Sequence, residues 1–169
     1  LDNFKNTHNY IAKFIKTSPQ NKVNEITNEI YNLIPENKWD EINEKYLSDQ
    51  PMNWNDIIAL NNAGVTIGSH CHDHFITNQN QALVDVKKQL EQSKLLIEQK
   101  CGSCDYFCFP NGGLKDISPQ GYQEASNNFK LCFSTIPGEL SDKYDRYYLP
   151  RYGAVSDYEH FKFNMKTSF

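Results

Sequence analysis

The chain has 169 residues, a formal net charge of -4 and 22% charged residues, with a pI near 5.7 and a mean hydropathy of -0.70. Leu, Ile, Val and Phe make up roughly a quarter of it, above the ~20% below which disorder becomes the default, so a wholly disordered chain is excluded. An acidic balance without clustered Lys and Arg argues against a nucleic-acid partner, and no apolar run approaches the ~18 residues of a membrane span.

The first fifty residues read as short amphipathic helices with polar outer faces. Phe4, Ile11, Phe14 and Ile15 fall near one helical face, as do Val23, Ile26, Ile30 and Leu33, and then Trp39, Ile42 and Tyr46. Ser18-Pro19 and Ile34-Pro35 punctuate them, because a residue before proline avoids the helical region. His8 reads as a solvated surface histidine. The chain opens on Leu1, and Leu1–Tyr10 lacks the basic-then-apolar order of a signal peptide, so the first residue reads as a cut.

From Met52 the texture changes. Asn53 is an N-cap candidate for a helix over Trp54–Asn62, closed by Ala63-Gly64. Val65–Gly68 is a short buried-strand candidate running into Ser69-His70-Cys71-His72-Asp73-His74. Leu83, Val86, Leu90 and Ile97 predict the longest helix, over Asn80–Lys100, with Gly102 beyond its end. Tyr106–Phe109 is the next strand, halted by Pro110-Asn111-Gly112-Gly113. A helix over Pro119–Asn128, a strand over Leu131–Ile136, extended chain at Tyr147–Leu149 and a last helix over Asp157–Lys166 complete the pattern. Strand, helix, strand, helix, strand is the alternation of an α/β fold with parallel strands.

Three of the five histidines stand within His70–His74, directly after a strand, where α/β proteins place functional residues. His70 and His74 can face one zinc ion if the loop takes a helical turn, with His72 pointing elsewhere. A catalytic zinc has three protein ligands and a water, so a third is required. Aspartate is the expected type, although Asp73 is poorly placed to join both neighbours. The plain alternative is a polar surface loop with incidental histidines. The loop at Pro110–Gly113 leaves backbone N–H groups free, and such a group can stabilise an oxyanion. Cys101 and Cys104 invite a redox or zinc reading. They follow a helix, however, and no second CxxC completes a four-thiolate site, so a structural role is favoured. Five cysteines, an odd number, point mildly to a compartment that does not require disulfides.

These segments resemble the polysaccharide (chitooligosaccharide) deacetylases of the NodB-homology family. Gly64–His74 resembles the second motif, a strand followed by G-S-H-T-x-x-H. Phe107–Gly112 resembles the third, F-A-Y-P-Y-G, and Tyr148-Leu-Pro-Arg151-Tyr resembles the L-P-R-I segment. Ser93-Lys94 stands in the helix between the second and third motifs. The likeness covers about Trp54–Lys166. It implies a partial distorted (β/α) barrel over residues 51–169, preceded by a helical, insertion-like segment of the same domain over residues 1–50. It further implies zinc or another divalent metal on His70 and His74 and an acetylated glycan as substrate. The Asn111 backbone N–H becomes the oxyanion donor, the Phe109-Pro110 and Gly112 loop a substrate contact, and Arg151 the orienter of a catalytic aspartate.

The sequence departs from the family at several points. The first motif, T-F-D-D, which supplies the third ligand and the base, is absent and belongs upstream of Leu1. The chain therefore reads as a piece of a longer deacetylase, with half a metal site and little activity alone. Cys108 and Asn111 stand at the Arg and Tyr of the third motif, and the late general-acid histidine has no clear counterpart, His160 reading as a surface residue. Phe75, Phe109, Tyr148 and Tyr152 are the aromatic candidates for packing against sugar. The alternatives are a non-catalytic carbohydrate-binding or scaffold protein of the same fold and a redox or zinc module at Cys101 and Cys104. Glycan identity, N- against O-deacetylation, compartment and oligomeric state are left open.

Overall fold

The computed structural model describes residues 2–46, 51–141 and 143–152, and the chain divides into two compact units. The expected last helix and His160 lie outside the described residues.

Residues 1–67 and 80–82 form the helical unit. It holds α1 (Asp2–Thr17), α2 (Gln20–Leu33), α3 (Asn37–Lys45) and α4 (Trp54–Asn62). The breaks fall at the two Ser/Ile-Pro pairs, as proline chemistry dictates. Neither α2 nor α3 has a buried residue; Tyr31 and Trp39 stack across them with ring centroids 4.9 Å apart. Pro19 cannot cap α2, and the Gln81 side chain does so instead, accepting a 3.0 Å hydrogen bond from the Gln20 N–H. Asn80 and Gln81 also donate to the Thr17 and Ser18 carbonyls at the end of α1. These commitments explain why the long helix starts at Leu83 and not at Asn80.

Asn53 caps α4 in a full capping box. Its side chain accepts from the Asn55 and Asp56 N–H groups, and Asp56 reaches back to the Asn53 N–H at 3.0 Å. Replacing Asn53 by alanine is expected to cost about 1 kcal/mol, read as faster amide exchange across Trp54–Asn62; unchanged exchange would show the cap to be idle. The predicted strand at Val65–Gly68 is not formed. The Val65 N–H closes the end of α4 on the Leu60 carbonyl, Val65 is 47% exposed, and pairing begins only at Ser69.

The second unit, residues 68–79 and 83–169, carries the sheet. It comprises α5 (Leu83–Cys101), β1 (Tyr106–Cys108), α6 (Pro119–Asn128) and β2 (Leu131–Phe133). β1 and β2 pair in parallel, with Phe107 opposite Cys132. Isolated parallel bridges add Ser69 beside Phe107 and Leu149 beside Phe133. The segments thus lie side by side in chain order, and among the described residues the sheet is open. β2 is shorter than expected because Ser134 turns both its N–H and its hydroxyl to the Leu149 carbonyl. α6 has the predicted bounds, set by Ser118 capping the Gly121 N–H and by Pro119 in the first turn.

The core gathers Phe75, Val86, Leu90, Cys104, Phe107, Phe109, Ala125, Phe129 and Cys132. Phe107 stacks on Phe129 at 5.0 Å and meets Phe109 edge-on at 4.8 Å. α5 packs on α6 over the sheet, and this layer presents the loop after Ser69.

Candidate metal and oxyanion site

The loop His70–His74 leaves the sheet where Ser69 pairs with β1: the Ser69 N–H donates to the Tyr106 carbonyl and the Cys108 N–H to Ser69. It does not take the expected helical turn. Cys71 and His74 lie in the left-handed region, at φ 62° and 53°, and this path brings the His70 and His74 rings together edge to face, with centroids 4.8 Å apart. Two imidazoles on one tetrahedral ion stand about 5 Å apart, close to the spacing of this pair.

The His70 Nδ1 lies 2.7 Å from the Cys108 carbonyl. A carbonyl only accepts, so Nδ1 carries the proton and Nε2 keeps a free lone pair, the arrangement that orients histidine ligands. Burial lowers the His70 pKa, as do the nearby His74 ring and Arg151 guanidinium, against the opposing pull of the Cys108 carbonyl. The ring is thereby kept neutral, as metal ligation needs.

His72 points away from the pair, its Nδ1 2.7 Å from the Asp73 carboxylate. Asp73 is fully engaged elsewhere: Gln89 Nε2 donates to Oδ2 at 2.7 Å, and the Asp73 N–H donates to Gln89 Oε1 at 2.9 Å. The Gln89 bond lowers the Asp73 pKa most, outweighing partial burial, with His72 and Lys88 adding to it. Asp73 is therefore no third ligand, and among the described residues no group of three His, Cys, Asp or Glu could hold a metal ion.

The loop after β1 borders this arrangement. Asn111 and Gly112 are left-handed, at φ 58° and 63°. A Cβ on Gly112 would stand 2.9 Å from the Phe109 carbonyl and 3.0 Å from the Thr135 nitrogen, so only glycine fits. The Thr135 N–H and hydroxyl bond the Gly112 and Asn111 carbonyls. None of the described hydrogen bonds uses the Asn111 N–H, and its side-chain amide is buried without a partner. Arg151 is anchored by its N–H on the Ile136 carbonyl. Its guanidinium bonds the Cys108 thiol, whose pKa is nonetheless raised by burial.

Phe75, Phe109 and Pro110 are fully buried, so their rings belong to the core. Tyr152 is exposed, and Tyr148 lines a pocket of about 340 Å³ with Leu114, Ile117, Ser118, Tyr122 and Asp145. The Tyr148 hydroxyl is buried without a partner. Cys104 sits in the core with its pKa raised to about 11, chiefly by burial, which argues against a reactive pair with Cys101. Sequence reasoning passed over Gln89 and noted Ser93 only as part of the helix between the motifs, with no role for its side chain. Their signal was two polar residues on the apolar face defined by Val86, Leu90 and Ile97.

A family model described as polysaccharide deacetylase matches residues 17–129, a span that includes His70, His74 and the Asn111 loop. The chain belongs to the polysaccharide deacetylase family. No curated protein sequence matches it. The deacetylase domain of BpsB from Bordetella bronchiseptica shares its fold at 16% identity and a TM-score of 0.53, over 59% of this chain and 48% of that one. This polysaccharide deacetylase chain thus spans about half the length of that solved domain. No helix among its described residues is long and apolar enough to cross a membrane.

Proposed function

We propose that this polysaccharide deacetylase is a metal-dependent hydrolase that removes acetyl groups from an N- or O-acetylated glycan. His70 and His74 serve as two ligands of zinc or another divalent ion. The observation that carries the reading is the edge-to-face imidazole pair at 4.8 Å, with His70 held in one tautomer by the Cys108 carbonyl. A bound ion of this kind supplies a water whose pKa falls toward ~7. The third ligand and the base are carboxylates from outside the described residues, as in the family's first motif. Arg151, set between Cys108 and His70, orients such a carboxylate.

The Asn111 N–H meets the oxyanion formed when water attacks the acetyl carbonyl, a type of contact whose loss costs ~10²–10³ in rate. Phe109, Pro110 and Gly112 shape the loop beneath the substrate, while the exposed Tyr152 ring packs against sugar. Residues 1–50 act as a helical segment of the same domain, and residues 51–169 as the C-terminal part of a (β/α) barrel.

Acetate release from N-acetylated and O-acetylated glucosamine oligomers by the full-length protein tests this reading. Release that is lost on chelation and restored by zinc is expected. Release that survives chelation would overturn metal dependence. Glycan binding without release would favour a non-catalytic carbohydrate-binding protein of the same fold.

A further inference from the structure

The loop that carries the histidine pair needs an external hold, because Cys71 and His74 occupy conformations that side chains disfavour by about 1 kcal/mol or more each. Two residues of α5, one helical turn apart, meet the loop at two points. Ser93 Oγ lies 2.7 Å from Ser69 Oγ, just before His70. Gln89 makes its reciprocal pair with Asp73, just before His74. Gln89 is 7% exposed and Ser93 6% exposed, so the α5 side of each contact is screened from water, while the Asp73 carboxylate is 57% exposed. The spacing is matched: residues 89 and 93 share one face of α5, and residues 69 and 73 bracket the turn. The Cys71 thiol bonds the Phe75 backbone, a weak hold.

We propose that Gln89 is a positioning residue for the His70–His74 pair: its amide clamps Asp73 from both sides, Ser93 pins the other end, and α5 thereby sets the two imidazoles at ligand spacing. The proposal rests on the metal reading of the pair, but the clamp itself can be tested without metal.

Gln89→Glu sets two carboxylates against each other and breaks the clamp. The double variant Asp73→Asn/Gln89→Glu restores both bonds, the side-chain one with reversed polarity, since the side-chain amide and the backbone N–H at position 73 can each donate to the carboxylate at position 89. Asp73→Ala alone, on the exposed side, removes the acceptor of the Gln89 amide without disturbing the core. In the full chain, the ring-proton resonances of His70 and His74 are expected to shift in Gln89→Glu and Asp73→Ala and to return in the double variant. Zinc affinity should fall about tenfold or more in Gln89→Glu, as for other partners of metal ligands, and recover to within about threefold in the double variant. Resonances that stay put in a folded Asp73→Ala, or that fail to return in the double variant, would overturn the clamp whatever zinc does. Ring shifts that follow the clamp while zinc binds the wild type and His70→Ala/His74→Ala alike would uphold the positioning and overturn the metal reading alone.

Discussion

Replacing His70 and His74 together by alanine is expected to lower zinc affinity by about a hundredfold or more. Losing a single supporting partner of a metal ligand already costs ~10–100-fold, and here both nitrogen donors go. The measurement is calorimetric titration of zinc into the chain at pH 7, with His8→Ala as the comparison, because His8 lies exposed on α1. His70 is the more demanding of the two. Its ring is bonded through Nδ1 to Cys108 and held below the ordinary histidine pKa, so it meets the ion already neutral and oriented. Zinc affinity in the double variant equal to that of His8→Ala would refute the ligand assignment and leave the loop a polar surface turn.

Phe107→Ala should produce the largest loss of stability, about 3–5 kcal/mol. Phe107 has no exposed surface and touches Phe109 and Phe129 in edge-on and stacked geometry, a pairing that contributes about 0.5–1.5 kcal/mol beyond area burial. It also pairs with both Ser69 and Cys132 across the sheet, so neighbouring elements on both sides limit how far the cavity can collapse. Urea unfolding followed by fluorescence and circular dichroism reads the change. A loss below about 1 kcal/mol would mean that the aromatic cluster is not the anchor of this unit. The substitution lies one residue from the carbonyl that holds His70, so zinc affinity should fall with stability.

Much of the chain is legible locally, and for a definite reason. α4 and α6 carry their own start signals, Asn53 with Asp56 and Ser118 with Pro119, and both helices lie where those residues put them. The breaks at Pro19 and Pro35 follow from the proline ring. Where a distant partner takes the backbone or a side chain, local reading fails. Asn80 and Gln81 have helical pattern but are spent on the ends of α1 and α2, and Val65 is spent on the end of α4.

The candidate site divides along the same line. Residue type and order in the sequence determined that an imidazole pair follows an extended segment, that a Pro-Asn-Gly turn follows a strand, and that the chain belongs to the polysaccharide deacetylase family. Tertiary structure alone decided how the pair meets. The histidines converge through two left-handed residues and not a helical turn, the Cys108 carbonyl selects the tautomer of His70, and Gln89 removes Asp73 from contention as a ligand. Each of those outcomes depends on a hydrogen bond between residues 16 or 38 positions apart or on backbone angles that only a packed neighbour can sustain. A one-dimensional pattern encodes which groups are available; which of them face one another is settled when α5 and β1 close on the loop.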